Sequence, residues 1–180
     1  MAWRFREALR KAVRLVERVY PDYMLVGRNA RNFYAPPETT LDLDFLVDLD
    51  DKERLSELSR LVQLTPYEPG HWQYSTVIEG IKVDLVKPPG YSLTKEVISR
   101  RRAVKIEKVG TVYVAPPEEL VILYLISSRA RGIRDEIKAL DVYTFSRARG
   151  DFDEAYFLRR CEENGITPFC NAVLSKVKPP

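Results

Sequence analysis

The sequence predicts an α+β protein: a short mixed or antiparallel β-sheet flanked by helices, with a helical C-terminal segment. Three observations carry that prediction. An amphipathic stretch at helical spacing opens the chain, and two pairs of β-rich runs, WQYSTVIEGIKVDLV and AVKIEKVGTVYVA, read as hairpins. A strongly apolar run, EELVILYLIS, then follows a proline. At 180 residues the chain suits one compact unit. Its expected division is a core over 1–115 and a helical segment over 116–175 packed on it.

Residues 3–19 place Phe5, Leu9, Ala12, Val13, Val16 and Val19 on one stripe with arginines elsewhere, and Pro21 lies just beyond. That spacing predicts a surface helix. YMLV (23–26) is a short apolar strand running into Gly27, and RNARNFYAPPE connects it to a second strand over Leu41 to Asp48. DDKERLSELSRLVQL (50–64) predicts a helix burying Leu55, Leu58, Leu61 and Val62. Glu79-Gly80 then marks a tight hairpin. Its second strand alternates, with Ile81, Val83 and Leu85 facing one way and Lys82, Asp84 and Val86 the other, until Pro88, Pro89 and Gly90 end it. Trp72 and Tyr74 read as sheet-packing residues. After the second hairpin a helix starts at Pro117, where proline and two glutamates suit a helix N-terminus. Two further helices follow, over 133–149 and 153–163, and SKVKPP reads as a loose tail.

Composition narrows the class. With 45% hydrophobic and 31% charged residues the chain can build a core. No run approaches the roughly eighteen apolar residues needed to span a bilayer. The N-terminus is interrupted by charges throughout, so export is not expected and the cytoplasm is the expected location. Scarce glutamine and abundant arginine point toward a thermophilic source. Cys161 and Cys170 match no zinc spacing, and only His71 could join them. They read first as packing residues and second as a disulfide.

The net charge of +3 is unevenly spread: residues 42–57 carry seven acids against two bases, and 95–108 carry six bases against two acids. An acidic spot beside basic surface suits a metal site handling an anionic substrate, and it equally suits solvated faces. Arg100, Arg101, Arg102 and Lys105 are the candidates for guiding a polyanion.

The acidic spot has internal order. Residues two apart on a strand share a face roughly 6.5–7 Å apart, so Asp42 and Asp44 project together, opposite Leu41, Leu43, Phe45 and Val47. Asp84 sits on the polar face of IKVDLV, although Asp is disfavoured in strands. If the two strands are neighbours, the three carboxylates can share one divalent cation or bracket two. A solvated sheet face with scattered acids is the other reading. Asp48 reads as a cap or surface group. Gly27, at a strand end, permits a turn that brings backbone N–H groups near a phosphate.

VGRNARNFYAPPETTLDLDFLVD followed by IKVDLV resembles the polymerase-β-like nucleotidyltransferase superfamily. That pattern is a strand, then glycine followed by Gly or Ser, then Asp-apolar-Asp, with a third Asp on a later strand. Within the superfamily, the chain is similar to small archaeal nucleotidyltransferases and to toxin-type transferases of abortive-infection systems. Gly27, Arg28, Asn29 and Ala30 match the first element, and Thr40, Asp42, Leu43 and Asp44 the second. In the tail, Lys138 and Asp141 are the nearest matches to a basic residue and an Asp that relatives hold near the nucleotide. Arg28 departs from the pattern: it can reach phosphates itself, or block the usual approach to them.

The resemblance implies transfer of a nucleoside monophosphate from an NTP to a hydroxyl acceptor, with Mg²⁺ or Mn²⁺ as cofactor and release of pyrophosphate. Asp42, Asp44 and Asp84 would be the catalytic and metal-binding residues, and Gly27, Arg28, Asn29 and Lys138 the nucleotide-binding ones. The acceptor would be RNA or tRNA, a protein or a small molecule, with no membrane partner. The alternative is a non-catalytic nucleotide-binding protein, or one member of a toxin–antitoxin pair, that keeps the fold.

Overall fold

The structure, a computed structural model, describes residues 2–67 and 72–176. In chain order the elements are α1 (Ala2–Val19), β1 (Met24–Val26), α2 (Gly27–Arg31), β2 (Leu43–Leu46), α3 (Lys52–Leu61), β3 (Thr65–Pro66), β4 (Gln73–Ile78) and β5 (Ile81–Val86). There follow α4 (Lys95–Ser99), β6 (Arg102–Ile106), β7 (Gly110–Val114), α5 (Pro117–Arg131), α6 (Ile133–Ala148), α7 (Glu154–Glu163) and α8 (Thr167–Lys176). The strands form one mixed sheet in the order β3-β4-β5-β2-β1-β7-β6. β2 runs antiparallel to β1 and parallel to β5, while β1 also pairs in parallel with β7 through Leu25 and Val114. The α+β expectation holds, and both predicted hairpins form.

Alternation along the strands decides which layer each side chain enters. Leu25, Leu43, Phe45, Val83 and Leu85 are all buried and point toward α1, whose Leu9, Ala12, Val13 and Val16 supply the facing stripe. Met24 and Leu46 are opposite each other on the other face and are buried as well. Both faces are therefore covered. The central strands are apolar on one side and mixed on the other, unlike a half-solvated sheet.

α5 is buried from Pro117 to Ile122 and again at Tyr124 and Leu125, which matches its apolar character all round. Its anchor is ionic. Glu119 and Arg160 are each 0% exposed and pair at 2.8 Å, with Tyr91 and Tyr156 also donating to the carboxylate. Arg160 donates further to the Ser92 carbonyl at 2.7 Å and to Glu163. A buried pair this fully partnered avoids the large penalty of an unmatched internal charge.

Several boundaries differ from expectation. β2 is shorter than the predicted Leu41–Asp48, and Leu41 is 56% exposed instead of facing the core. Asp48 and Asp50 both pair with Lys87, and Asp51 caps α3 by accepting from the Arg54 amide at 3.0 Å. The helices α2 and α4 have five residues each, too short for periodicity to reveal. The tail reading of SKVKPP is corrected at Ser175 and Lys176, which belong to α8; the remainder, like His71, lies outside the described residues. No described helix is long and apolar enough to cross a membrane.

The packing reading of the cysteines is also corrected. Cys161 on α7 and Cys170 on α8 are joined in a disulfide, with Cα atoms 6.4 Å apart. Gly165, at φ +64°, turns the chain between the two helices and brings the sulfurs into range. Closing so short a loop stabilises the fold by about 2–3 kcal/mol through the unfolded chain. Reduction of the intact protein is expected to lower its melting temperature by roughly 5–10 °C in thermal scans. A C161A/C170A variant should melt at the reduced value regardless of reductant.

Candidate active site

The site begins with a contact between backbone and carboxylate. Gly27 follows β1 directly at φ +64°, in the left-handed region. A β-carbon built there would lie 2.1 Å from Asp44 Oδ2 and 3.0 Å from Asp44 Cβ. The antiparallel register, which sets Val26 opposite Asp44, causes this closeness. Gly27 is thus required twice, for its backbone conformation and for the space Asp44 occupies.

Asp44 in turn faces Asp84, its register partner on the neighbouring parallel strand. Adjacent strands stand about 4.8 Å apart, so the two carboxylates share one face side by side. Burial is the main cause pushing the Asp44 carboxyl up to about 6, followed by the negative charges of Asp84 and Asp42; Lys82 and Arg131 oppose the shift. Asp84 is buried and accepts hydrogen bonds from the Ser75 hydroxyl and from Lys82 Nζ, the latter at 2.7 Å.

These residues form the floor of a cavity of about 300 Å³. Asp42, Asp44, Lys82 and Asp84 line its sheet side, with Gly27 and Arg28 at one edge. Tyr124, Ser127 and Arg131 of α5 and Asp135 and Lys138 of α6 form the opposite wall. Trp72 and Gln73 from the β4 side complete it together with Tyr67.

Most of the predicted residues meet here. Arg28 lines the cavity, and its guanidinium donates to the Thr39 carbonyl at 3.2 Å and approaches Glu38 at 3.9 Å. Lys138 lines it too, paired with Asp135 at 2.7 Å. Asn29 does not line this cavity: its amide donates to the Asp42 carbonyl at 2.5 Å and so holds the approach to β2. Asp141 is engaged elsewhere, accepting from Arg31 at 2.6 Å and tying α6 to α2. The three arginines of the basic run are committed within the fold, while Lys105 is exposed. Arg100 pairs with Asp153, Arg102 forks onto Asp151, and Arg101 donates to the Pro21 and Tyr23 carbonyls.

Sequence reasoning missed Asp135, Ser127, Arg131 and Tyr124. The signal was available: Tyr124, Ser127 and Arg131 recur at helical spacing on α5 and form a polar-tipped line on one side of it. Trp72, read as a packing residue, is half-buried at the cavity.

The donor set suits a divalent cation of the Mg²⁺ type. Among the described residues no three carboxylate, imidazole or thiol groups stand together closely enough to hold one ion. Mg²⁺ does not need three: it commonly takes one or two carboxylates and completes its shell with water and phosphate oxygens. Burial is the first cause of the raised Asp44 pKa, and the neighbouring charges of Asp84 and Asp42 add to it; a cation would offset that second part.

No protein-family model matches the chain, and no curated protein matches it. Its chain path is similar to several solved structures, three of them as follows. One is a protein of Thermotoga maritima assigned as a nucleotidyltransferase, at 16% identity and TM-score 0.45 over 67% of this chain and 87% of the other. Another is the antibiotic-resistance factor ANT(2″)-Ia, at 11% identity and TM-score 0.46 over 92% of each chain. The third is an antigenic nucleotidyltransferase-like protein of Paracoccidioides brasiliensis, at 14% identity and TM-score 0.45 over 74% of this chain and 76% of the other.

Two outcomes follow from the site itself. Gly27→Ala should destabilise the protein by about 1–3 kcal/mol in urea unfolding, through left-handed strain and collision with Asp44. The cost should shrink in an Asp44→Ala background, giving a coupling energy above about 0.5 kcal/mol. Separately, the carboxyl of Asp44 has a folded pKa near 6, above its ordinary value. Its contribution is therefore most favourable below about pH 4 and is lost as pH rises through 6. Asp44→Asn should accordingly exceed the native protein in stability at pH 8 in chelator, by about 1–3 kcal/mol, with the gap closing toward pH 4.

Proposed function

We propose that the chain is a divalent-metal-dependent nucleotidyltransferase, moving a nucleoside monophosphate from an NTP to a hydroxyl acceptor with release of pyrophosphate. The observation that supports this reading is the Asp44–Asp84 register pair, seated against Gly27 and facing a cavity that also holds Arg28, Arg131 and Lys138. Acidic floor and basic rim have separate tasks. Mg²⁺ or Mn²⁺ held by Asp42 and Asp44, with Asp84 beside them, would supply neutralisation of the triphosphate and of the leaving pyrophosphate.

The chain's own residues do the rest. Arg28, Arg131 and Lys138 offer donors to the β- and γ-phosphate oxygens, and the planar fork of arginine suits such anions. Asp84 takes the proton of the acceptor hydroxyl. The acceptor oxygen forms its bond to the α-phosphorus as the bond from that phosphorus to the α,β-bridging oxygen breaks. Pyrophosphate leaves with the bonding pair. The wall of α5 and α6 limits water at the reacting centre, so an acceptor hydroxyl competes better with hydrolysis.

The test uses α-labelled NTPs, Mg²⁺ or Mn²⁺, and cellular RNA, protein and small-molecule fractions as acceptors, beside a D42N/D44N variant. Acid-stable label on one acceptor class is expected, at least 10³-fold above the double variant. Label on no acceptor, or equal label with the variant, would overturn the reading.

A further inference from the structure

Two residues that line the same cavity each carry a buried polar atom without a hydrogen-bond partner: Gln73, at Oε1, and Tyr124, at its hydroxyl. Gln73 is 4% exposed and Tyr124 8%. Native interiors rarely leave such groups unmatched, so two in one cavity mark places where a ligand completes the hydrogen bonding. They flank the carboxylates from opposite sides. Tyr124 stands on the α5 wall, with its ring 5.5 Å from Lys138 Nζ.

Gln73 lies on the sheet side. It pairs with Val86 of β5, and two residues further along β4 Ser75 pairs with Asp84. Gln73 therefore shares the face of Asp84, one strand further from Asp44. Next to it, the Trp72 indole meets Tyr67 edge-on at 5.8 Å between centroids, and both rings line the cavity. One end of the cavity thus offers an aromatic surface and a buried amide oxygen. Elsewhere its lining offers the cationic groups of Arg28, Arg131 and Lys138. A flat polar ring joined to a phosphate has that same division.

We propose that Trp72 and Gln73 form a nucleobase subsite, with the base against the indole and its exocyclic amine donating to Gln73 Oε1. This rests on the nucleotidyl-transfer reading of the cavity. Stacking on an aromatic face tolerates every base. The amide oxygen adds a preference for adenine, cytosine or guanine over uracil, whose one donor is the ring N3–H, set between two carbonyls that repel the amide oxygen. The base belongs either to the incoming triphosphate or to the 3′ end of an acceptor strand, and the chemistry of recognition is the same for both.

Trp3 is 74% exposed and is the only other tryptophan, so a Trp3→Phe variant of the full chain makes Trp72 the sole indole reporter. Its emission is titrated with α,β-methylene-ATP and α,β-methylene-UTP in one arm, and with ribotetramers ending in adenosine or uridine in the other. Quenching is expected with about tenfold tighter binding of the adenine form in at least one arm, and that arm identifies which base occupies the subsite. Gln73→Leu should abolish the preference while holding the uracil affinity within about twofold, at an unchanged melting temperature. Equal affinity for adenine and uracil forms in both arms, or a preference that survives Gln73→Leu, overturns the subsite. Base-selective binding without any labelled product would overturn the transfer reading alone, and transfer without base selectivity would overturn the subsite alone.

Discussion

Everything in this fold is arranged around two carboxylates held side by side on neighbouring parallel strands. Asp44 and Asp84 would separate if each were free to choose its surroundings, because like charges in a half-dry groove repel. What keeps them together is the opposite face of the same strands. Leu43, Phe45, Val83 and Leu85 are all at most 1% exposed, and their packing under α1 fixes the register. A slip of one residue would turn the carboxylates into that apolar layer and bring the leucines out. The hydrophobic side sets the geometry and the polar side carries the electrostatic cost.

The second layer of constraint lies in the helices above the groove. α5 places Tyr124, Ser127 and Arg131 over the carboxylates, so its position determines the width of the cavity. The Glu119–Arg160 pair near its N-terminal end holds it to α7 and to the segment around Ser92. α6 is tied from another direction: Arg31, 3% exposed, joins Asp141 on α6 and Glu38 in the loop before β2. Through Arg31 the glycine turn, the loop leading to Asp42 and the far wall become one connected unit. This is why Asp141, which sequence similarity placed near the nucleotide, contributes at one remove by fixing α6, while Asp135, six residues earlier, lines the cavity.

Much of the site was legible in the chain because its logic is local. Asp42 and Asp44 are two apart where β2 begins, Asp84 interrupts an alternating apolar pattern, and Gly27 follows a strand: each is a feature of a few adjacent residues. The sheet class and the long helices were legible for the same reason. What could not be read depended on distant partners. The basic run at 95–108 looks like a surface for a polyanion until Asp151 and Asp153, some fifty residues later, neutralise Arg100 and Arg102. The cysteines, with no spacing rule to favour a bond, acquire one only because α7 and α8 fold back on each other. Five-residue helices carry too little periodicity to be seen at all.

Lys82 shows how the site balances its charge. It sits two residues before Asp84 on the same face, with an ammonium 2.7 Å from that carboxylate, while half of its own side chain remains in solvent. A tethered cation in this place offsets part of the repulsion between Asp84 and Asp44, and it is among the groups holding the Asp44 carboxyl below the value that burial alone would impose. Because the stem is flexible and its head is half-exposed, the ammonium can leave Asp84 without unfolding anything. It can then be exchanged for another cation. The buried carboxylates are thus rigid, fixed by the sheet and by Gly27, and the compensating charge is the movable part. That division suits the transfer reaction proposed above: fixed anionic oxygens at the floor, and cations able to come and go around them.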